Sequence, residues 1–134
     1  MRIHRLGWLT TYTDQYEAMR RLFVDVLGLP VEVDEGTFAQ LGPMADAEHD
    51  YVEVLSTDDP ESDFERQHFT GPVAGFVVDD VVEARRELEA AGIEILDDIH
   101  WSTRREGYGW FHFRAPDGHI YGLMEGSKLR PPAG

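Results

Sequence analysis

Two short segments of the chain combine residue types that can do chemistry. Glu53 is the only acidic residue within Tyr51–Leu55, an otherwise apolar run with the composition of a β-strand. If it is buried there, its carboxylate must find hydrogen-bond donors or a cation, or its pKa rises. Such a group can act as a general base or bind a cationic ligand. Alternatively, Glu53 has no functional role and its carboxylate is either solvated or paired with an arginine.

The second segment is Gly109–Arg114, in which Trp110, His112 and Arg114 alternate with two phenylalanines. Successive side chains of a strand point to opposite faces, so an indole, an imidazole and a guanidinium would share one face. If that face lines a cavity, it would suit a planar or anionic ligand. His112 is therefore a tentative catalytic residue beside Glu53, and a hydrogen-bonded structural histidine is the alternative.

Several other polar and aromatic residues carry weaker signals. His68 either reaches the mouth of a cavity or lies in a linker, and His119 follows an Asp-Gly turn and is interpreted as structural. The segment Asp97–Tyr108 fits a lid over a cavity and equally an ordinary hairpin loop. Three aromatic residues fit either the core or a cavity lining: Trp8, Tyr12 and Phe38.

Length and composition predict one soluble, cytoplasmic domain over residues 1–134. The chain has 42% hydrophobic and 28% charged residues, and its apolar runs fall short of the roughly 20 residues of a membrane span. Its N-terminus does not resemble a signal peptide, and its lack of cysteine excludes disulfides and thiolate metal ligands. A net charge of −14 disfavours nucleic acid and anionic membranes, and it favours either cationic partners or solubility alone.

An internal repeat divides the chain into two modules of order β-α-β-β-β. Module one covers about residues 3–57 and module two about residues 71–126, with an acidic connector at 58–70 and a loose tail at 127–134. The apolar periodicity predicts one helix in each module, and both helices end at Gly signals.

The predicted strands and helices follow from the alternation of apolar and polar residues and from the glycine and proline signals that end each element. In module one a strand at Leu6–Thr13 leads through a capping Asp14 into a helix at about Gln15–Val26. In module two Val73–Val78 leads through Asp79 or Asp80 into a helix closed by Gly92. The remaining strands are predicted at Val31–Val33, Thr37–Leu41, Tyr51–Leu55, Ile93–Leu96, Gly109–Arg114 and His119–Met124.

Four motifs in this order resemble those of the vicinal-oxygen-chelate superfamily, which comprises glyoxalases, bleomycin resistance proteins and dioxygenases. They are Phe23–Leu29 closing the first helix, Val77–Asp80 entering the second, Leu88–Gly92 leaving it, and Phe113–Gly118 before the last strand. The resemblance covers about residues 6–126. It implies an α+β fold of two tandem βαβββ modules whose curved mixed sheets surround a cavity, and often a homodimer.

The resemblance also implies four cavity positions that hold a metal in the family's enzymes. They fall on Gly7 or Trp8, on Val73, on Glu53 and on Gly122, and only Glu53 has a metal-binding side chain. A divalent transition metal needs about three or four protein ligands, so we expect no cofactor unless relocated histidines bind a metal. With Trp110 and His112, these positions form the expected ligand-binding cavity.

These observations favour a metal-independent small-molecule-binding protein. It would sequester a cationic or aromatic compound, as the bleomycin-resistance branch of the resembled superfamily does, or sense a metabolite. The alternative is a lyase or dioxygenase-type enzyme. Such an enzyme would use Glu53 with relocated metal ligands, or metal-free acid–base chemistry with His112 or His68. A third possibility is an interaction module in which the dimer interface matters more than the cavity.

Overall fold

The structure is a computed structural model that describes residues 1–42, 51–68, 71–103 and 106–126. Within these ranges the chain is a mixed α+β protein with nine strands and few helices. It divides into two compact units. We call Trp8–Val73 the N-terminal unit, and Met1–Gly7 together with Ala74–Gly134 the C-terminal unit.

The N-terminal unit contains a sheet in the order β2-β3-β4-β1. Strand β4 runs parallel to β1 and antiparallel to β3. The bounds of the strands agree with the predicted ones to within one residue, and β1 belongs to this unit from Trp8 onward. The strands are β1 (Arg5–Thr13), β2 (Val31–Asp34), β3 (Phe38–Leu41) and β4 (Tyr51–Ser56).

The first helix, α1, spans Tyr16–Arg21 and continues as a π-helical turn over Leu22–Val26. The prediction that Asp14 caps it was wrong. The N-cap residue is Gln15, which makes no side-chain capping bond, and the backbone N–H of Gln15 donates to Thr13 Oγ1 over 2.9 Å. The chain turns after this helix at Gly28, whose φ of 77° lies in the left-handed region that favours glycine.

The C-terminal unit contains a sheet in the order β5-β9-β8-β6, and β7 pairs with β8 as well. Strand β9 runs parallel to β5 and antiparallel to β8. The short strand β7 lies in the segment predicted as a lid or a hairpin loop. The strands are β5 (Val73–Val77), which belongs to this unit from Ala74 onward, β6 (Glu94–Ile95), β7 (His100–Trp101), β8 (Gly109–Arg114) and β9 (Ile120–Glu125).

The acidic connector contains a short helix, α2 (Asp63–Gln67), that was not predicted. Asp59 holds the segment before it, because this fully buried side chain accepts hydrogen bonds from Thr37 Oγ1 (2.7 Å) and from the backbone N–H of Glu61 (2.8 Å). The other helix is α3 (Val81–Ala90), and its N-cap residue is Asp80. Among the described residues no helix is long and apolar enough to cross a membrane.

Each sheet packs one face against the helix of its own unit. In the N-terminal unit Ala39, Leu41 and Val54 join Tyr16 of α1 in a buried cluster. In the C-terminal unit Phe111 and Leu123 pack with Val81 and Ala84 of α3. Because side chains alternate along a strand, the residues between these positions lie on the opposite face, which we call the helix-distal face of each sheet.

Candidate functional site

Glu53 lies on the helix-distal face of the N-terminal sheet, in the middle of β4. Its strand neighbours are Thr10 on β1 and Gln40 on β3. Thr10 Oγ1 donates to Glu53 Oε1 over 2.8 Å, and Gln40 Nε2 donates to Oε2 over 3.0 Å. The Glu53 side chain is buried, with a relative exposure of 8%. We call Thr10, Gln40 and Glu53 the Glu53 cluster.

Aromatic side chains surround this cluster on the same face. Trp8 and Tyr12 lie two residues before and after Thr10 on β1, and Tyr51 lies two residues before Glu53 on β4. All three are buried. The expected cavity residue Trp8 therefore shares a sheet face with Glu53, and the aromatic residues give the carboxylate an apolar neighbourhood.

The chemistry of the cluster follows from its donors. The Thr10 hydroxyl and the Gln40 amide each donate a hydrogen bond to the carboxyl group of Glu53. A carboxylate in an apolar neighbourhood interacts strongly with a positively charged or N–H-bearing group, because the local dielectric constant is low. The Glu53 cluster can therefore recognise a cation or a strong hydrogen-bond donor.

His112 lies in β8 of the C-terminal unit and is held by Asp97, which the sequence did not single out. The backbone N–H of His112 donates to Asp97 Oδ1 over 2.6 Å, and its ring Nδ1 lies 2.7 Å from Asp97 Oδ2. Both side chains are largely buried, at 4% and 11% exposure. Asp97 lies between β6 and β7, and the pairing of both strands with β8 brings it to His112.

The face of β8 that carries His112 is the helix-distal one. Phe111 is in the core cluster against α3, and Phe113 packs against that cluster, so Trp110 and His112 point to the other side. As the alternation predicts, Trp110 and His112 share one face of β8, and the residues that pack against α3 lie on the other. The Arg114 guanidinium is engaged at the end of the strand by Glu94 (3.5 Å) and by the carbonyl of Gly118 (3.1 Å).

Aromatic rings extend the helix-distal face beside His112. The His100 ring stacks on Trp110 with centroids 5.7 Å apart, and Tyr108 meets Trp110 edge-on at 6.1 Å. His100 Nε2 also lies 3.4 Å from Asp97 Oδ2. We call Asp97, His100, Trp110 and His112 the His112 cluster.

The other expected cavity positions bear no polar side chain. Gly122 on β9 pairs with His112, and Gly75 on β5 pairs with Gly122. A Cβ atom at Gly7 would collide with Met124 Sδ and lie 3.0 Å from Val77 Cγ2, so this position serves close packing. Val73 is the first residue of β5 and is half-buried.

The remaining histidines that the structure describes each contact another side chain. The His68 ring lies 4.7 Å from the Phe64 ring of α2 and is tilted against it, and His4 Nε2 lies 2.6 Å from Asp79. His119 lies 3.1 Å from Asp117 in its turn, and the backbone N–H of His119 together with its ring lowers the pKa of that aspartate. His49 lies outside the described residues.

The side chains at the ligand positions that the resemblance implies do not make up a divalent-metal site. Of the positions expected for metal ligands, Gly7 and Gly122 have no side chain, Trp8 and Val73 offer no metal-binding atom, and only Glu53 has an oxygen donor. In ranges 1–42, 51–68, 71–103 and 106–126, no three His, Asp or Glu side chains lie together in a way that could hold a metal ion.

Solved structures share this fold at low sequence identity. The Mn(II)-bound glyoxalase from Novosphingobium aromaticivorans is 19% identical with a TM-score of 0.68, over 92% of this chain and 39% of that chain. This chain therefore spans 39% of the length of that glyoxalase.

Two methylmalonyl-CoA epimerases match over nearly their whole length. The enzyme from Mycobacterium tuberculosis is 16% identical with a TM-score of 0.68, over 95% of this chain and 91% of that chain. A variant from Streptomyces coelicolor in complex with 2-nitronate-propionyl-CoA is also 16% identical, with a TM-score of 0.69 over 98% and 100%.

Comparison with curated proteins gave no match. The family model of the Glyoxalase/Bleomycin resistance protein/Dioxygenase superfamily matches residues 5–121, which is most of the chain. The match includes the helix-closing and strand-entering motifs and both clusters on the helix-distal faces. This chain belongs to the Glyoxalase/Bleomycin resistance protein/Dioxygenase superfamily.

Proposed function

We propose that this protein binds a small organic molecule without a metal, and that it sequesters or senses that molecule. The observation that carries the proposal is the Glu53 cluster. Its carboxylate is buried, accepts hydrogen bonds from Thr10 and Gln40, and shares a sheet face with Trp8, Tyr12 and Tyr51. Ligand sites in proteins commonly combine an apolar, aromatic lining with a few fixed polar groups.

The ligand class that suits this arrangement is a cation or an aromatic compound with a donor group. Aromatic rings attract cations through their faces, and the carboxylate adds direct charge attraction. The net charge of −14 raises the local concentration of cationic compounds around the protein. The cluster and the overall charge therefore favour the same ligands.

Binding can be tested by thermal-shift screening and calorimetry on protein dialysed against a chelator. The probes are cationic glycopeptide antibiotics and aromatic amines. We expect at least one compound to raise the melting temperature in a concentration-dependent manner, because a ligand that binds only the folded state stabilises it by about 2.7 kcal/mol at 100 times its Kd. If no compound stabilises the protein, the proposal is wrong.

The role of Glu53 is tested by Glu53→Gln, which keeps the shape and one acceptor but removes the charge. We expect this variant to bind a cationic probe at least about tenfold more weakly, since hydrogen bonds to charged groups contribute about 1.5–3 kcal/mol. Glu32→Gln, on the exposed β2 strand, makes the same charge change and is the matched control. Equal affinity of the Glu53 variant and the wild type would remove Glu53 from the site.

Elemental analysis of protein purified without chelator tests the metal-independent part. We expect no stoichiometric Zn, Ni, Mn or Fe, because four ligand positions with one oxygen donor do not hold these ions. A stoichiometric metal that survives dialysis would contradict metal-independent binding, whatever the result of the ligand screen.

A further inference from the structure

We propose that the first helix of the N-terminal unit pairs with the same helix of a second copy of this chain, in an antiparallel arrangement. In that arrangement Arg21 of each copy contacts Asp25 of the other. The surface consists of α1 and the π-helical turn that continues it. The inference is independent of the proposed ligand, because it uses no residue of the Glu53 cluster or of the His112 cluster.

This helix has one side in the core and an apolar side that is exposed. Tyr16 is part of the buried cluster of the N-terminal unit, and Phe23 packs against that cluster. Ala18, Leu22 and Val26 are exposed, Leu22 to 41% and Val26 to 72%. Residues four apart are neighbours on a helix surface, so these three form one continuous stripe, which we call the α1 stripe. Contiguous exposed apolar residues of this kind mark a surface that another molecule covers.

Two opposite charges flank the α1 stripe. Arg21 and Asp25 are exposed, and each precedes a residue of the stripe by one position, so both lie on the same flank. Within the described part of the chain neither side chain has an ion-pair partner. A second copy would supply a partner for each, because it carries the same acid and the same base. The surface is therefore complementary in charge to itself, as an interface between two identical copies requires.

The position of the charges selects the antiparallel orientation. A two-fold axis perpendicular to the helices brings like flanks together and reverses the chain direction, so the contact between Arg21 and Asp25 occurs twice. An axis along the helices would instead turn the two charged flanks away from each other. When the charges are level in the antiparallel pair, Val26 lies level with the gap between Ala18 and Leu22 of the second copy, which is how side chains interlock between packed helices.

The net charge of −14 opposes the association of two copies, but it acts over longer distances than these contacts. At physiological ionic strength the Debye length is about 8 Å, so charges spread over the two surfaces are largely screened, whereas groups in direct contact are screened much less. Association is therefore best measured at about 0.15 M salt.

Sedimentation equilibrium of the wild type and three charge variants tests the pairing. We expect the wild type to be a dimer. Arg21→Asp and Asp25→Arg should each associate at least about tenfold more weakly, since each places like charges opposite each other twice. The double variant Arg21→Asp, Asp25→Arg should return to within about threefold of the wild-type affinity, because both pairs form again with their signs exchanged.

The two single variants also control for net charge. They change it in opposite directions, so overall repulsion does not explain a loss that both share. Asp58→Arg makes the same change as Asp25→Arg at an exposed residue between β4 and α2, and it should not weaken the dimer. Because the proposed pairs form only between copies, urea unfolding at concentrations where the protein is monomeric should give the wild-type free energy for every charge variant.

Three results would overturn the inference. The first is a wild type that stays monomeric at all concentrations, and the second is a pair of single variants that associate like the wild type. The third is a folded double variant that associates as weakly as the single ones.

Cross-linking tests the orientation without reversing a charge. The chain has no cysteine, so an introduced cysteine can link only to the same position of a second copy. Leu22→Cys lies near the proposed axis and should give a covalent dimer on mild oxidation. Ala18→Cys should not, since antiparallel pairing separates its two copies by roughly 15 Å along the helix, whereas the Cα atoms of a disulfide lie about 4.4–6.8 Å apart. Equal cross-linking at both positions, or none at Leu22→Cys, would overturn the antiparallel pairing.

Discussion

Glu53 and His112 both owe their surroundings to residues from other segments of the chain. Thr10 and Gln40 meet Glu53 through the registers of β1 and β3, and Asp97 meets His112 across β8. The sequence pattern predicted both residues as candidates, because a lone acid and a histidine stand out in strands. It did not predict their partners, since the register between strands is not encoded in the local alternation of either one.

Asp34 provides a prediction for stability at low pH. The backbone N–H of Gly36 lowers the pKa of its carboxyl, as do the hydrogen bonds from Tyr16 (2.9 Å) and Arg20 (2.5 Å). The pKa of the Tyr16 hydroxyl is raised, mainly by its burial and next by Asp34. Because the pKa of Asp34 is lower in the folded state, its stabilising contribution is complete above the unfolded value of about 4 and is lost as pH falls through the folded value.

We therefore expect Asp34→Asn to lower the free energy of unfolding by about 1 kcal/mol at pH 7. The expected loss is small because solvent screens the charge-assisted hydrogen bonds of this partly exposed side chain. The difference between variant and wild type should shrink below about pH 4. Denaturant unfolding across that pH range measures it. The control is Asp25→Asn, at an exposed position on the π-helical turn. A difference for Asp34→Asn that does not change with pH would contradict the assignment.

At the scale of elements, the sequence predicted the helices and strands in which apolar residues recur at a regular spacing. The two main helices and the strands of both sheets follow from apolar spacing and from glycine stop signals. Helix α2 was not predicted, because its five residues are too few to show a helical period, and strand β7 lies in the polar segment that was interpreted as a lid or a hairpin loop. The structure of α2 depends instead on Asp59, a buried side chain whose partner Thr37 lies 22 residues earlier in the chain.

The N-terminus of α3 provides a prediction about capping. Asp80 Oδ1 accepts from the backbone N–H groups of Val82 (2.9 Å) and Glu83 (3.1 Å), and Glu125 Oε1 accepts from that of Val81 (3.1 Å). We expect Asp80→Ala to lower the free energy of unfolding by about 1 kcal/mol, the usual cost of losing such a cap.

The neighbouring Asp79 provides the control for the α3 cap. Its side chain is 76% exposed and pairs with His4, so Asp79→Ala should cost less than Asp80→Ala. Urea denaturation of both variants measures the difference. Equal losses would mean that general charge near the helix, and not the two hydrogen bonds, accounts for the effect.

At the scale of the whole molecule, the order of motifs along the chain was enough to predict the family. Such motifs mark helix ends and strand entries, where glycine, proline and capping residues are required by backbone geometry. The cavity chemistry depends on which residue stands at a few positions. For this reason the family alone does not determine the ligand.

The resemblance also predicts a homodimer, and the N-terminal unit offers a surface for it. Val26 is 72% exposed and Leu27 60%, at the end of the π-helical turn that also exposes Leu22. Exposed apolar residues grouped in this way are typical of interaction sites. We expect the wild type to be a dimer by light scattering and the double variant Val26→Asp, Leu27→Asp to be a monomer.

Val82→Asp is the control for the dimer prediction, since Val82 is an exposed valine on α3 of the other unit. It should leave the molar mass unchanged. A monomeric wild type would contradict the predicted dimer, and a dimeric double variant would exclude this surface as its interface.

The C-terminal unit is assembled from both ends of the described chain, and this affects how the protein folds. The backbone N–H of His4 donates to the carbonyl of Val77, the His4 ring contacts Asp79, and the Met1 ammonium group contacts Glu87, at 2.9, 2.6 and 2.9 Å. His4 and Asp79 are 75 residues apart in sequence. During synthesis, residues 1–7 are therefore made well before the residues that they contact. Folding of this unit should be slow for its size, because distant segments must meet before their contacts stabilise it.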